Sequence, residues 1–320
     1  MIDPQTVDGL LEQAYNLIRQ GQSEQAVAVG NELLKNRHAR GFEIIALAFE
    51  QQGNATDAIA VLQDGVSRVP NAWPLWELLG NLYSDQGQYD EAYQAYDKAL
   101  ACPNGDHDSI NYNYAILLKR LGKLEEAMKL SERIRAGDLE MKVRVLQLSI
   151  FNAMKRHDEA ARIGTQLIQR ILTRNQIAEE EMGDLSRTYA EVGRAHWEGK
   201  SDRQSAWENA WKALEWDRSD NNALWLVREI INRKSNGSKW FKLVIEGRWH
   251  FAIEPNKPIP SFVTTYEVVA DSPEDALNFA KDLEPMEVRS SMKIDHHEDL
   301  GNFPENQQGV YWRSAYGFYS

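Results

Sequence analysis

The residues able to hold a metal or move a proton are few and poorly arranged for either. One run gathers histidines with carboxylates, Asp295-His296-His297-Glu298-Asp299. Neighbouring side chains on a strand point to opposite faces, so His296 and His297 do not share a metal there. A hydrated acidic strand end is the plainer reading. Asp106-His107-Asp108 reads the same way, as a loop between helices. The single cysteine, Cys102, sits beside Pro103 with no histidine in local register to activate it. One cysteine also excludes a disulfide framework and a thiolate zinc site. Gly247, between Glu246 and Arg248, marks a turn and not a phosphate cradle, and Glu179-Glu180-Glu181 reads as a solvated acidic run. No P-loop, dinucleotide fingerprint, nucleophile elbow or His-Glu-x-x-His is found. The expectation is a non-enzymatic protein with no catalytic residue, no metal and no cofactor.

Composition narrows the partners. Lys and Arg number 36 against 48 Asp and Glu, a formal net charge of −12 over 320 residues. An acidic chain lacks the cationic surface that tracks phosphates, so a nucleic-acid partner is not expected. No window nears the ~20 apolar residues of a spanning helix, and neither end shows a secretory signal or a lipidation box. No membrane contact is expected, and the default compartment is cytoplasmic. The length suggests two domains, and 10 Trp, 12 Tyr and 9 Phe supply a core.

The elements that would carry a binding surface come from internal repetition. Between Trp73 and Asp106 stand Trp76-x-x-Leu79-Gly80-x-x-Tyr83, Gly87, Tyr89-Asp90-Glu91-Ala92, Tyr96 and Ala99. Trp76, Leu79, Gly80 and Tyr83 fall on one helical face. Gly80 and Ala92 are small where two antiparallel helices approach, and Gly87 can take positive φ between them. Anchoring on Ala92 finds Ala26, Ala58, Ala127, Ala160 and Ala206, with successive separations of 32, 34, 35, 33 and 46. Five residues before the first four anchors stand Gly21, Gly53, Gly87 and Gly122, and twelve before them Ala14, Ala46, Gly80 and Ala115. The later units are degenerate: Leu148 and Lys155 take the small and turn positions of the fifth, and the sixth turns near Gly199–Ser201. The 46-residue gap predicts a long second helix from Asp158 towards Glu181, or an inserted turn. Asn221–Arg233 reads as a final amphipathic helix, covering the last apolar face as a stack of repeats requires.

These residues resemble the tetratricopeptide repeat, over about residues 7–234. The resemblance implies about six helix pairs in an α-α superhelix, followed by a capping helix, and a role as a protein-binding adaptor. It also implies that first helices of the pairs line a concave groove holding a partner peptide or helix. The groove positions are Arg40, Glu43, Leu47 and Glu50; Pro74, Glu77, Asn81 and Asp85; Ser109, Tyr112, Ile116, Lys119 and Arg120; and Lys142, Val145, Ser149 and Asn152. Their charge runs from acidic to basic around Lys119, Arg120, Lys142 and Arg144, which would orient a ligand of mixed charge. Some family members clamp a chain-terminal carboxylate with Lys, Asn and Arg. The matching positions here are Glu43 and Leu47, then Asn81, then Ser109 and Asn113. Only Asn81 agrees, so that ligand is not expected.

The domains expected are 1–235, the repeats with their cap, and 236–320, a small α+β domain. From Trp240 the periodicity shifts towards two. Strands are predicted at Trp240–Ile245, Phe262–Val269, Val288–Ile294 and Val310–Phe318, with a helix opened by Ser272-Pro273-Glu274-Asp275, in the order β-β-α-β-β. A loop with Pro255, Pro258 and Pro260 joins the first two. Seven tryptophans between Trp197 and Trp249 fit a fixed junction between cap and sheet, or core packing within each. The aromatic end (Tyr311, Trp312, Tyr316, Phe318, Tyr319) has one face for the core; the other packs on the helices or binds a ligand, the first being favoured. Two functional readings stay open. In the first, the chain is an adaptor. In the second, the α+β domain binds a small molecule and the repeats bind the partner. A homo-oligomer is possible in either.

Overall fold

The computed structural model describes residues 4–135, 137–174, 176–253 and 257–319. Pro255 and the chain's first three residues lie outside them. The chain divides into two compact units, 1–143 and 144–320. The change from helix to sheet falls where the periodicity changes, but the sheet shares its unit with the helices before it, so compactness does not divide the chain at 235/236.

In the first unit the helices are α1 (Pro4–Arg19), α2 (Ser23–Lys35), α3 (Arg40–Gln51), α4 (Ala55–Arg68), α5 (Trp73–Asp85), α6 (Tyr89–Ala101), α7 (His107–Arg120) and α8 (Leu124–Ser131). They pair in sequence order, and the first helices α1, α3, α5 and α7 also lie side by side. The pairing rests on the spaced small residues. Ala26, Ala58, Ala92 and Ala127 are fully buried, as are Ala14, Ala46 and Ala115 opposite them. A methyl group on Gly80 would stand 2.7 Å from the Tyr96 ring, so the ring fills the space that a side chain would need.

Each pair turns through one recurring link. Gly21, Gly53, Gly87 and Gly122 have φ between 73 and 75°. The next residue then bonds back over the helix end: Gln22 N–H to the Leu17 carbonyl at 2.9 Å, Asn54 to Phe49 at 2.9 Å, Gln88 to Tyr83 at 2.8 Å and Lys123 to Leu118 at 2.9 Å. This is the left-handed closure that glycine adopts at least cost. The degenerate units keep the geometry without the glycine: Lys155 has φ 60° and Ser201 φ 50°.

α9 (Glu140–Ala153) spans the boundary, and the second unit continues with α10 (His157–Leu172), α11 (Glu179–Lys200), α12 (Arg203–Trp216) and α13 (Asn221–Ile231). Six helix pairs and a last helix are thus present among the described residues. The 46-residue gap has a different origin from the one expected. α10 ends at Leu172, and most of the added length is in α11, a first helix of 22 residues. Ala160 and Ala206 are buried like the earlier anchors.

The sheet comprises β1 (Lys239–Arg248), β2 (Ser261–Ala270), β3 (Lys293–Gly301), β4 (Gly309–Arg313) and β5 (Gly317–Tyr319). It is antiparallel in the order β3-β1-β2-β4, with β5 also on β2. α14 (Pro273–Asp282) covers it, with Ala276, Phe279 and Ala280 buried, and Ser272 caps that helix by accepting from Asp275 N–H at 3.1 Å. Two expected strands need correction. Met286–Arg289 is one helical turn, α15, opened by Pro285 with its fixed φ, and the strand starts only at Lys293. The last strand is broken between Arg313 and Gly317, where the Ser314 hydroxyl accepts the Thr265 N–H at 2.9 Å. Among the described residues no helix is long and apolar enough to cross a membrane.

Within the second unit the junction of helices and sheet is built on charge, and its arginines also stand over rings of the sheet region, Arg218 over Tyr316 at 3.5 Å and Arg228 over Tyr311 at 3.8 Å. Glu284 is fully buried and receives Arg218 in a two-pronged contact at 2.7 and 3.1 Å. It also accepts from the hydroxyls of Tyr266 and Tyr316. Arg313, 1% exposed, stands 3.6 Å from the same carboxylate. It donates to the carbonyls of Arg218 at 2.6 Å, Leu283 at 2.7 Å and Leu214 at 3.3 Å. Arg228 on α13 reaches the Val310 carbonyl of β4 at 2.7 Å. Burial pushes the Glu284 carboxyl up, but Arg218 and Arg313 outweigh it and hold the group below the usual carboxylate range. Trp249 lies against Phe262, Tyr316 and Phe318, so part of the aromatic end packs on its own sheet.

Candidate functional site

Three first helices of the first unit, α3, α5 and α7, enclose a cleft of ≈ 330 Å³. Their positions follow from the repeat: residues one helical turn apart on each helix face the same way, and successive helices place equivalent residues side by side. Arg40, Glu43 and Leu47 come from α3; Trp73, Pro74, Glu77, Leu78 and Asn81 from α5; Ser109 and Asn113 from α7.

The polar groups of the cleft are held in place. Arg40 meets Glu43 through two bonds at 2.9 and 3.1 Å, and Tyr15 of α1 donates to Glu43 at 2.5 Å. Arg40 also donates to the Tyr15 hydroxyl and stands over its ring at 5.7 Å. Burial and the neighbouring Glu43 carboxylate push the Tyr15 hydroxyl pKa up, so it stays a donor. Asn81 accepts from the Tyr96 hydroxyl of α6 at 2.6 Å. Glu77 receives the Ser109 hydroxyl at 2.6 Å and the Asn113 amide at 2.8 Å, both on Oε1. Burial raises the Glu77 pKa, and these two bonds only partly oppose the rise. Burial and Asp85 raise Glu50 as well.

The structure thus brings together Arg40, Glu43, Leu47, Glu77 and Asn81 of the expected groove. Tyr112 is half-buried on α7, outside the lining of this cleft. At the end of α7 Lys119 is half-buried, and Arg120 is exposed and spends its charge on Asp85 at 2.8 Å, with a second bond to Ser84 at 2.9 Å. The charge gradient is therefore weaker than the count of basic residues suggests. Lys142 is exposed on α9. Asn152 requires a correction: it is 1% exposed in the second unit, where its amide donates to the Glu191 carbonyl at 2.9 Å and carboxylate at 2.8 Å. Its place in the repeat is a first-helix position, but α11 reaches over it. Val145 and Ser149 are buried too.

Trp73, Leu78 and Tyr15 escaped the periodicity argument. Trp73 and Leu78 flank Pro74 and Glu77 on α5, and the single-face count drops such neighbours. Tyr15 acts from α1 through Glu43. Asn113, a carboxylate-clamp position by count, donates instead to a carboxylate of the protein itself.

Other chemistry-bearing residues have structural duties. Asp106 caps α7, accepting from the Asp108 and Ser109 amides at 3.2 Å each. The Cys102 thiol is buried, donates to the Lys98 carbonyl at 3.2 Å, and has its pKa raised by burial, which disfavours the reactive thiolate. On β3, His296 and His297 pair with Val244 and Leu243 and are exposed.

Residues 11–74 and 73–102 match models of the tetratricopeptide repeat family. Residues 11–102 are thus tetratricopeptide repeats, and the repeats support a role in protein–protein interaction. Its helices are similar to those of PilF of Pseudomonas aeruginosa, with a TM-score of 0.52 at 14% identity over 69% of this chain and 96% of that one. They are also similar to PilW, described as a type IV pilus biogenesis factor, with a TM-score of 0.51 at 15% identity over 61% and 84%. The Cut9–Hcn1 hetero-tetramer of the APC/C gives 0.54 at 15% identity over 68% of this chain, which spans 42% of the length of that one. At such identities the likeness is one of fold alone. No curated protein matches the chain.

Proposed function

We propose that the protein is a non-enzymatic adaptor that holds a segment of another protein in the cleft of α3, α5 and α7. The observation that carries this reading is the cleft's lining. Leu47, Trp73, Pro74 and Leu78 offer apolar surface beside fixed polar groups on Glu77, Asn81, Ser109 and Asn113. Apolar walls with a few placed polar groups are the usual make-up of a selective binding site. The repeats position the lining on rigid helices, so little side-chain order remains to be lost on binding.

The test is comparative capture from a cell extract, with full-length protein and a Leu47→Arg variant. Leu47 is half-buried at the cleft wall, so arginine there fills the cleft without entering the core. Partners retained by the parent and lost by the variant, at unchanged thermal stability, support the reading. Identical capture by both proteins would refute it.

A further inference from the structure

Resting on the cleft reading above, we infer that the cleft takes a lysine or arginine side chain of the partner, with its charged head at Glu77 and its stem along Leu47, Pro74 and Leu78. Charge is the first argument. The lining contains one cation, Arg40, and that cation already faces Glu43 through two bonds. Among the described residues the donors to Glu77 are neutral, the Ser109 hydroxyl and the Asn113 amide. One negative charge is therefore left uncompensated in the lining.

Position is the second argument. The Ser109 and Asn113 bonds to Glu77 both fall on Oε1, which orients the carboxylate and leaves Oε2 for an incoming donor. Asp106 adds to the negative field at Glu77. Shape also favours a basic side chain. Lysine and arginine carry an aliphatic stem that lies well on apolar surface while the charged head stays with its partner, and Leu47, Pro74 and Leu78 share the lining with Glu77. An anionic ligand group is disfavoured for the same reason: next to Glu77 it would meet a like charge without a free cation in the lining to offset it.

The experiment selects a display library of short random peptides on the full-length chain. The selected peptides are then synthesised with each lysine or arginine replaced by norleucine. The expected result is a shared basic residue whose replacement weakens binding about tenfold, the order found for a partly desolvated charge pair. Glu77→Gln keeps the acceptor for Ser109 and Asn113, so it should bring the parent peptide to the norleucine level, and the two changes together should cost no more than either alone. The peptide-side comparison uses unaltered protein and does not depend on how the variant folds. Peptides that lose binding to Leu47→Arg but share no basic residue, or that ignore Glu77→Gln, would overturn this inference and leave the cleft reading standing. No enrichment, or equal binding to Leu47→Arg, would overturn the cleft reading and this inference with it.

Discussion

Glu284→Ala should loosen the second unit more than any single change at its surface. The side chain is fully buried and stands against two guanidinium groups and two phenols. Its removal leaves Arg313, itself 1% exposed, and the largely covered Arg218 without a counter-charge. Breaking a buried ion pair by deleting one partner costs about 3–5 kcal/mol. Total stabilities run to about 5–15 kcal/mol, so the loss would consume a large share of the unit's margin. For a unit of this size, each kcal/mol moves the melting temperature by about 2–4 °C, which puts the fall at about 6–20 °C. Glu284→Gln keeps the shape but not the charge and should lie between the two. Calorimetry gives the shift. Limited proteolysis locates it, because the link between α13 and β1, near Asn236–Ser238, should become an early cutting site as the sheet loosens from the helices. The carboxyl is held below its ordinary pKa. Its contribution is therefore present above the unfolded-state value and is lost as pH falls through the folded one. The melting difference between parent and Glu284→Gln should shrink in acid over that range. A loss under about 1 kcal/mol for Glu284→Ala, the size of an exposed pair, would refute the idea that this cluster joins sheet to helices.

Further measurements follow from particular residues. Gly80→Ala brings a methyl group within 2.7 Å of the Tyr96 ring, and such overpacking should cost about 1–3 kcal/mol in chemical denaturation. Lys155→Gly relieves a left-handed backbone at φ 60° and should stabilise by up to about 1 kcal/mol; a loss of stability would show that the lysine stem is needed there. Asn152→Ala removes buried bonds to Glu191, so it should destabilise by about 1–3 kcal/mol while leaving peptide binding in the first-unit cleft unchanged. Folding raises the Glu77 pKa, so ionised Glu77 disfavours the folded state. Glu77→Gln should therefore raise the melting temperature slightly at neutral pH, with the gain vanishing as pH falls below the folded-state value.

The repeat array was legible because its physics is local. Two helices joined by a tight turn can approach closely only where small residues meet, and the turn needs a left-handed residue at a constant distance from them. Ala26, Ala58, Ala92 and Ala127 with their glycines carry that rule in their spacing, and their burial follows from it. The positions of Arg40, Glu43, Glu77 and Asn81 in one cleft follow from the same arithmetic. Tertiary structure decided what arithmetic on one helix does not contain. Asn152 occupies a groove position by count, yet the long α11 supplies Glu191 to bury it. Glu284, Arg218 and Arg313 come from distant parts of the chain, and nothing in the local pattern of any of them names the others; their meeting depends on how α12 and α13 lie on the sheet. Whether Arg120 faces a ligand or Asp85 was likewise settled by the distance between neighbouring helices. Periodicity records which face a residue is on. Only the packing of that face against another determines whether its charge is already used.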